Sequence, residues 1–209
     1  MRTLATLLLL SVIAAGTVFA KSKKQTIIPL KTGDLVFQSL PRNPIVDAIE
    51  GSTGSPFSHC GIVVEKEGDL LVLEAIGPVR YTELSKWIRR GRRNAYAAYR
   101  IQGISSEKIA AFISAADRYL GRPYDIHYDF DDGRIYCSEL IYKAYRTVFD
   151  TGLGTPEKLG SLKWQPYERV IRAIENGALP LEREMITPVS LAEAPETVFL
   201  GGRGFGEGR

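Results

Sequence analysis

Two cysteines, two histidines, two methionines and two tryptophans are all that this 209-residue chain holds of those types. The count excludes a disulfide-dense scaffold, since one bridge, Cys60 to Cys137, is the most the chain can make. A zinc centre would have to use every imidazole and thiol present: His59, Cys60, His127 and Cys137. Those four lack the paired spacing of zinc sites and require two adjacent strand residues to converge, so no metal is expected. Charge is nearly balanced, 27 Lys and Arg against 24 Asp and Glu, a net of +3. Such a balance lacks the concentrated basic face that nucleic acid demands. The one dense basic cluster, Arg89 and Arg90 with Arg92 and Arg93, reads as a solvated helix end, where cations sit well against the carbonyl terminus. Contact with anionic lipid or polymer is its other reading. Beyond the first twenty residues no run approaches transmembrane length, and there is no internal repeat or domain boundary.

What is present begins with a basic start at Arg2, an apolar run from Leu4 to Phe19, and small residues at Val18 and Ala20. That is the pattern of a signal peptide cleaved after Ala20, with an uncleaved membrane anchor as the rival. Residues 21–200 are then long enough for one domain with a full core, in an exported protein of the periplasm or exterior. The glycine-rich end, residues 201–209, is expected to be mobile because it buries too little surface to order itself.

Along the chain, Leu35 to Phe37 form a short β-prone run, and Asn43 with Pro44 opens a helix. Residues 58–64 and 69–75 read as a hairpin across a four-residue loop. That loop pairs Val64 with Asp69 and sets His59 opposite Glu74, on one face and within contact range. A further strand follows at 78–82, with Thr82 capping a short helix, and another at 95–101. A helix from Ser105 or Ser106 ends at Gly121 and Pro123. Thr155-Pro156-Glu157 starts a helical piece, a helix spans 167–174, and 186–191 holds a last helical turn or docking segment.

The chemistry centres on Tyr136-Cys137-Ser138-Glu139-Leu140-Ile141-Tyr142. Asp131-Asp132-Gly133 is turn chemistry, and the apolar residues from Leu140 to Val148 keep helical spacing. Cys137 therefore lies at a helix start, where free amides and the helix dipole favour a thiolate. An imidazole assists such a nucleophile and a carboxylate holds the imidazole in its useful tautomer, roles that suit His59 and Glu74. Strand alternation puts Cys60 on the face opposite His59, so a Cys60–Cys137 disulfide and a His59–Cys137 pair exclude each other. The Asp-rich stretch 124–133 fails as a calcium loop, because Tyr128 and Phe130 fall where carboxylates are needed.

Gly33-Asp34-Leu35-Val36-Phe37, Ser58-His59-Cys60-Gly61-Ile62-Val63, Glu74, Tyr124-Asp125 and Tyr136-Cys137-Ser138-Glu139-Leu140 occur in that order. Over roughly residues 30 to 150 the chain resembles the permuted papain-like amidases related to NlpC, the YiiX/YebB-like cysteine hydrolases. The resemblance implies an α+β fold, circularly permuted, with an antiparallel sheet packed on the helix that carries the cysteine. It also implies a Cys-His-Glu arrangement, which falls on Cys137, His59 and Glu74, and no cofactor. Tyr124 and Tyr136 are the candidate substrate-binding residues. The implied substrate is a cell-envelope amide or peptide, such as a peptidoglycan stem peptide, with no nucleic acid and with membrane contact permitted but not required. Three alternatives stay open: an acyltransferase or lipid amidase of the lecithin–retinol acyltransferase kind, a non-catalytic envelope-binding module, and a structural protein with a Cys60–Cys137 disulfide.

Overall fold

The structure, a computed structural model, describes residues 29–205. The proposed leader, residues 1–20, and the last four residues lie outside them. β-prone runs form β1 (Leu35–Gln38), β2 (His59–Lys66), β3 (Asp69–Ala75), β4 (Val79–Glu83) and β5 (Tyr96–Ile101). Helices α1 (Pro44–Thr53), α2 (Leu84–Arg90), α3 (Ser106–Asp117) and α4 (Cys137–Phe149) carry the layers on either side. The remaining elements are β6 (Glu157–Lys158), α5 (Glu168–Glu175), β7 (Glu184–Met185), α6 (Pro188–Ala192) and β8 (Thr197–Arg203). Six strands make one sheet in the order β4-β3-β2-β1-β5-β8, every pair antiparallel.

Local chemistry accounts for several boundaries. Asn43 accepts from the amides of Ile45 and Val46, with Pro44 in the first turn, where its missing N–H costs nothing. Ser105 caps α3 through the Lys108 amide, and Thr187 caps α6 through that of Ser190. The two sheet faces follow the strand alternation. On one, Phe37, Cys60, Ile62 and Leu73 pack with Phe112 of α3 and Leu140, Ile141 and Ala144 of α4 in the main core. On the other, Val36, Val63 and Val72 pack beneath Trp87 of α2 in a smaller core.

Four expectations need correction. The β2–β3 turn has two residues, not four: Lys66 pairs with Asp69 and Val64 with Leu71. Glu67 and Gly68, both at positive φ, make the tight turn whose twist suits a hairpin. Continuing that register puts Gly61, not His59, across from Glu74. Thr82 does not cap α2; it lies in β4 and its hydroxyl goes elsewhere, as described below. Thr155 to Glu157 leads into the short strand β6, not a helix. Finally, residues 201–203 are not a loose tail but the end of β8, paired to β5.

The last misreading has a physical cause. Glycine there is a packing requirement, because a Cβ on Gly202 would stand 2.1 Å from the Tyr96 carbonyl oxygen. Phe205 then anchors the segment edge-on against Phe57, ring centroids 5.3 Å apart. Gly202→Ala should accordingly destabilise the protein by about 1–3 kcal/mol, since backbone cannot rotate out of such a contact. Urea unfolding checks this, and an unmoved midpoint would contradict the docking of β8.

Candidate active site

α4 starts on Cys137, with Tyr136 as its N-cap residue and Glu139 reaching back to accept from the Tyr136 amide at 3.2 Å. The hydroxyls of Tyr136 and Ser138 hold the backbone of one residue, Ile186, at its N–H and its carbonyl. Tyr136 Oη accepts from the Ile186 amide at 3.0 Å, and Ser138 Oγ donates to the Ile186 carbonyl at 2.7 Å. The helix start is thus pinned from within the core, and the amide of its first residue has no carbonyl one turn back to bond.

His59 is the first residue of β2, at the end of the sheet nearest α4. Its ring adjoins the Cys137 side chain, near enough that each group shifts the other's protonation. On its other side Nε2 lies 2.5 Å from Glu74 Oε2. An ionised carboxylate only accepts, so Nε2 carries a proton and Nδ1 is the nitrogen left for the thiol. Glu74 reaches His59 diagonally from β3, past a residue without a side chain. A Cβ at Gly61 would sit 2.4 Å from Val72 Cγ1 and 3.4 Å from Glu74 Cβ. The register moved by two residues relative to the sequence reading. An even shift keeps every side chain on its face, so the two residues still meet.

The carboxylate has further donors. Thr82 Oγ1 gives a 2.6 Å hydrogen bond to Glu74 Oε1, and the Arg90 guanidinium pairs with Oε2. Glu74 is fully buried. Burial alone would raise its pKa, but the bonds and charges of His59 and Arg90 outweigh that and hold it at about 2. Burial likewise acts to lower the His59 pKa, and the hydrogen bonds and charges of Cys137 and Glu74 overcome it, lifting the ring to about 9. Cys137 is held well below the ordinary thiol range. A hydrogen bond from the Cys60 thiol is the largest cause, and the His59 bond and charge add to it against burial. Cys60 moves the opposite way, pushed well up by burial and by its sulfur neighbour.

That neighbour corrects the sequence reading. Cys60 does not point away from Cys137. Both lie in the main core, near enough that Cys60 and His59 together hold the Cys137 pKa down. The strict alternation argument failed because His59 sits at the strand terminus, where its ring can turn past the sheet edge toward the helix. Both sulfurs are free thiols in the structure.

Tyr124 and Tyr128 stand beside the pair, their rings edge to face with centroids 6.3 Å apart. With His59, Leu40, Ile76 and Ile126 they line a cleft beside the imidazole. Tyr128, missed in the sequence, holds a left-handed backbone, φ 60°, which costs a bulky side chain about 1–3 kcal/mol. Buried Asp125 imposes it by accepting from the amides of His127 and Asp129. Tyr136, in contrast, is a core residue, 1 % exposed and bonded to Ile186, and offers substrate nothing. His127 lies apart from the thiols, its Nδ1 3.4 Å from Glu175.

The family model for the permuted papain-like amidases, YaeF/YiiX, C92 family, matches residues 29–201. The chain belongs to that family. The match runs some fifty residues beyond the stretch in which the sequence motifs lie and reaches into β8. The uncharacterized protein YiiX of Escherichia coli (strain K12) is 32 % identical over 193 residues, 91 % of this chain and 92 % of that one. A solved structure titled as the metalloprotein YiiX from Escherichia coli O157:H7 superposes with a TM-score of 0.77 at 33 % identity, covering 81 % of this chain and 95 % of that one. This C92 member therefore has the permuted papain-like α+β fold. That title calls the relative a metalloprotein. Among the described residues of this chain no three His, Cys, Asp or Glu side chains cluster as a cation requires.

Labelling by a thiol-reactive amide probe tests the site directly. Cys137→Ala should abolish the label. Cys60→Ala should retain it, with the acid-side midpoint moved upward because one donor to the Cys137 thiolate is gone. Label lost from the Cys60 variant and kept by the Cys137 variant would contradict the assignment.

Proposed function

We propose that this chain is an exported thiol amidase working through Cys137, His59 and Glu74. The observation that carries the reading is the His59 ring, held between the Cys137 sulfur and the Glu74 carboxylate. Cys137 as thiolate attacks the carbonyl carbon of an amide, and the amide at the start of α4 faces the oxyanion that forms. The imidazolium of His59 gives its proton to the departing amine, leaving a thioester on Cys137 and a neutral ring. His59 then takes a proton from water, whose oxygen attacks the thioester; the bond between the acyl carbon and sulfur breaks, the carboxylic acid leaves, and the Cys137 thiolate re-forms beside the protonated ring. Glu74 fixes the ring's tautomer and orientation throughout. The leader pattern of residues 1–20 supports a substrate in the cell envelope, such as a peptidoglycan stem peptide.

A second reading, a lipid-directed amidase or acyltransferase, draws on one observation. An apolar pocket lined by Ile45, Ile49, Ile171, Ile174, Met185 and Ile186 opens beside Ser138, the neighbour of Cys137, and shares Tyr128 with the His59 cleft. An alkyl chain would suit such a lining.

Incubation with fragmented cell wall and, separately, with lipid amides, followed by mass analysis of products, separates the two readings. Amine and acid release from the first supports the envelope amidase, and from the second alone the lipid reading. A non-catalytic binding module predicts neither. His59→Ala should lower turnover by about 10²–10⁴-fold, the usual worth of a placed acid–base group. The reactive pair needs a protonated ring, which exists below the His59 pKa and is lost above it. Turnover should therefore fall as pH rises through about 9, and a fall centred near 6.5, the ordinary imidazole value, would contradict the pair.

A further inference from the structure

Glu74 is held by more than the imidazole it orients. Arg90, the last residue of α2, donates through Nη2 to Oε2, the same oxygen that accepts from His59 Nε2. Thr82 from β4 satisfies Oε1. The groups that face this carboxylate are thus His59 and, on the sulfur side, Cys60 from β2, Thr82 from β4 and Arg90 from α2. Arg80, its cross-strand partner on β4, is solvent-exposed, and Cys137 on α4 lies beyond the ring. Gln38 stands opposite His59 on β1 and carries no charge. Arg90 is 24 % exposed at its side chain while Glu74 is wholly buried, so the guanidinium reaches inward from the surface.

A thiol–imidazole–carboxylate set has a weak moment that this cation answers. With the ring protonated, Glu74 faces a full positive charge. Once the proton has gone to the leaving amine, the ring is neutral. A carboxylate buried beside a neutral partner is driven by desolvation to take up a proton. A protonated Glu74 no longer supports the positive ring that must form again when His59 draws a proton from water. Arginine stays charged at every accessible pH and supplies a fixed donor geometry.

We propose that Arg90 is a positioning residue that keeps Glu74 ionised whether or not His59 carries its proton. The proposal rests on the thiol amidase reading above. It gives the arginine cluster a role for one member: Arg90 faces the site while Arg89 and Arg93 stay at the surface.

The direction of a pH shift tests it. If Arg90 were only a cation near the ring, removing it would favour the imidazolium and draw the Cys137 midpoint lower. If it keeps Glu74 ionised, removing it lets Glu74 protonate, the ring loses its counter-charge, and the midpoint rises. The measurement is the pH dependence of Cys137 alkylation by iodoacetamide on the full chain, with peptide mass mapping to separate Cys60. Arg90→Met should raise the acid-side midpoint by about one pH unit, an alkylation rate about tenfold lower on that limb. Arg90→Lys should bring it back toward the native value. Arg90→Gln, which keeps a neutral donor, gives the same upward direction and decides the matter if the methionine variant does not fold.

A midpoint that stays put or falls overturns the proposal, including the case in which only the melting temperature drops, for then Arg90 is a structural residue. A native midpoint in the ordinary thiol range overturns the thiolate–imidazolium reading itself and takes this proposal with it. A depressed native midpoint shared by the Arg90→Met variant overturns this proposal alone.

Discussion

The structure turns on one buried negative charge. Glu74 lies beneath the sheet's smaller core with no access to water, and a carboxylate in that position is tolerable only while both oxygens are paired. Each oxygen has its donor: Thr82 on one, His59 and Arg90 on the other. That requirement reaches outward through the fold. It fixes the ring of His59 from behind, so the ring's other nitrogen faces the start of α4. It needs a glycine at position 61 to let Glu74 lean across, and it sets α2 over this end of the sheet, with Trp87 packed beneath it.

The sulfur side shows a complementary arrangement. Cys137 is nearly closed off from solvent, which by itself opposes a thiolate. Hydrogen bonds from Cys60 and His59 and the positive ring together reverse that preference. Two neighbouring thiols therefore divide one burden, one becoming the better anion and the other the more reluctant acid. The tyrosines above them are held by a strained turn at Tyr128, whose backbone Asp125 secures with two amides. Between these tyrosines and α1 runs the cleft that His59 lines, beside an apolar pocket whose lining belongs to α1, α5 and the segment around Ile186.

Much of this was legible in the order of residues, and the failures share a cause. Asn43 with Pro44, Ser105 and the helix after Cys137 are fixed by neighbours a turn away, so local pattern sufficed. His59 and Glu74 were matched through a wrong turn length and still met, because the error was even. In sequence Thr82 reads as a cap and Arg90 as part of a solvated helix end, and nothing within a few residues of either reveals Glu74, eight and sixteen positions away. Tyr136 resembled a cleft residue beside the nucleophile, but its hydroxyl serves Ile186, fifty positions on. Gly201 and Gly202 suggest a loose end; in fact the strand beside Gly202 leaves no space for a side chain. Local chemistry wrote the elements, while the contacts that make the site exist only once the sheet has formed.

The central claim is that His59 stands as an imidazolium between a thiolate and a carboxylate. Nuclear magnetic resonance of its ring nitrogens, followed from neutral into alkaline solution, addresses that claim most directly. The account predicts protons on both nitrogens until the pH approaches about 9. A ring that gives up its proton near 6.5, like a free imidazole, would contradict it.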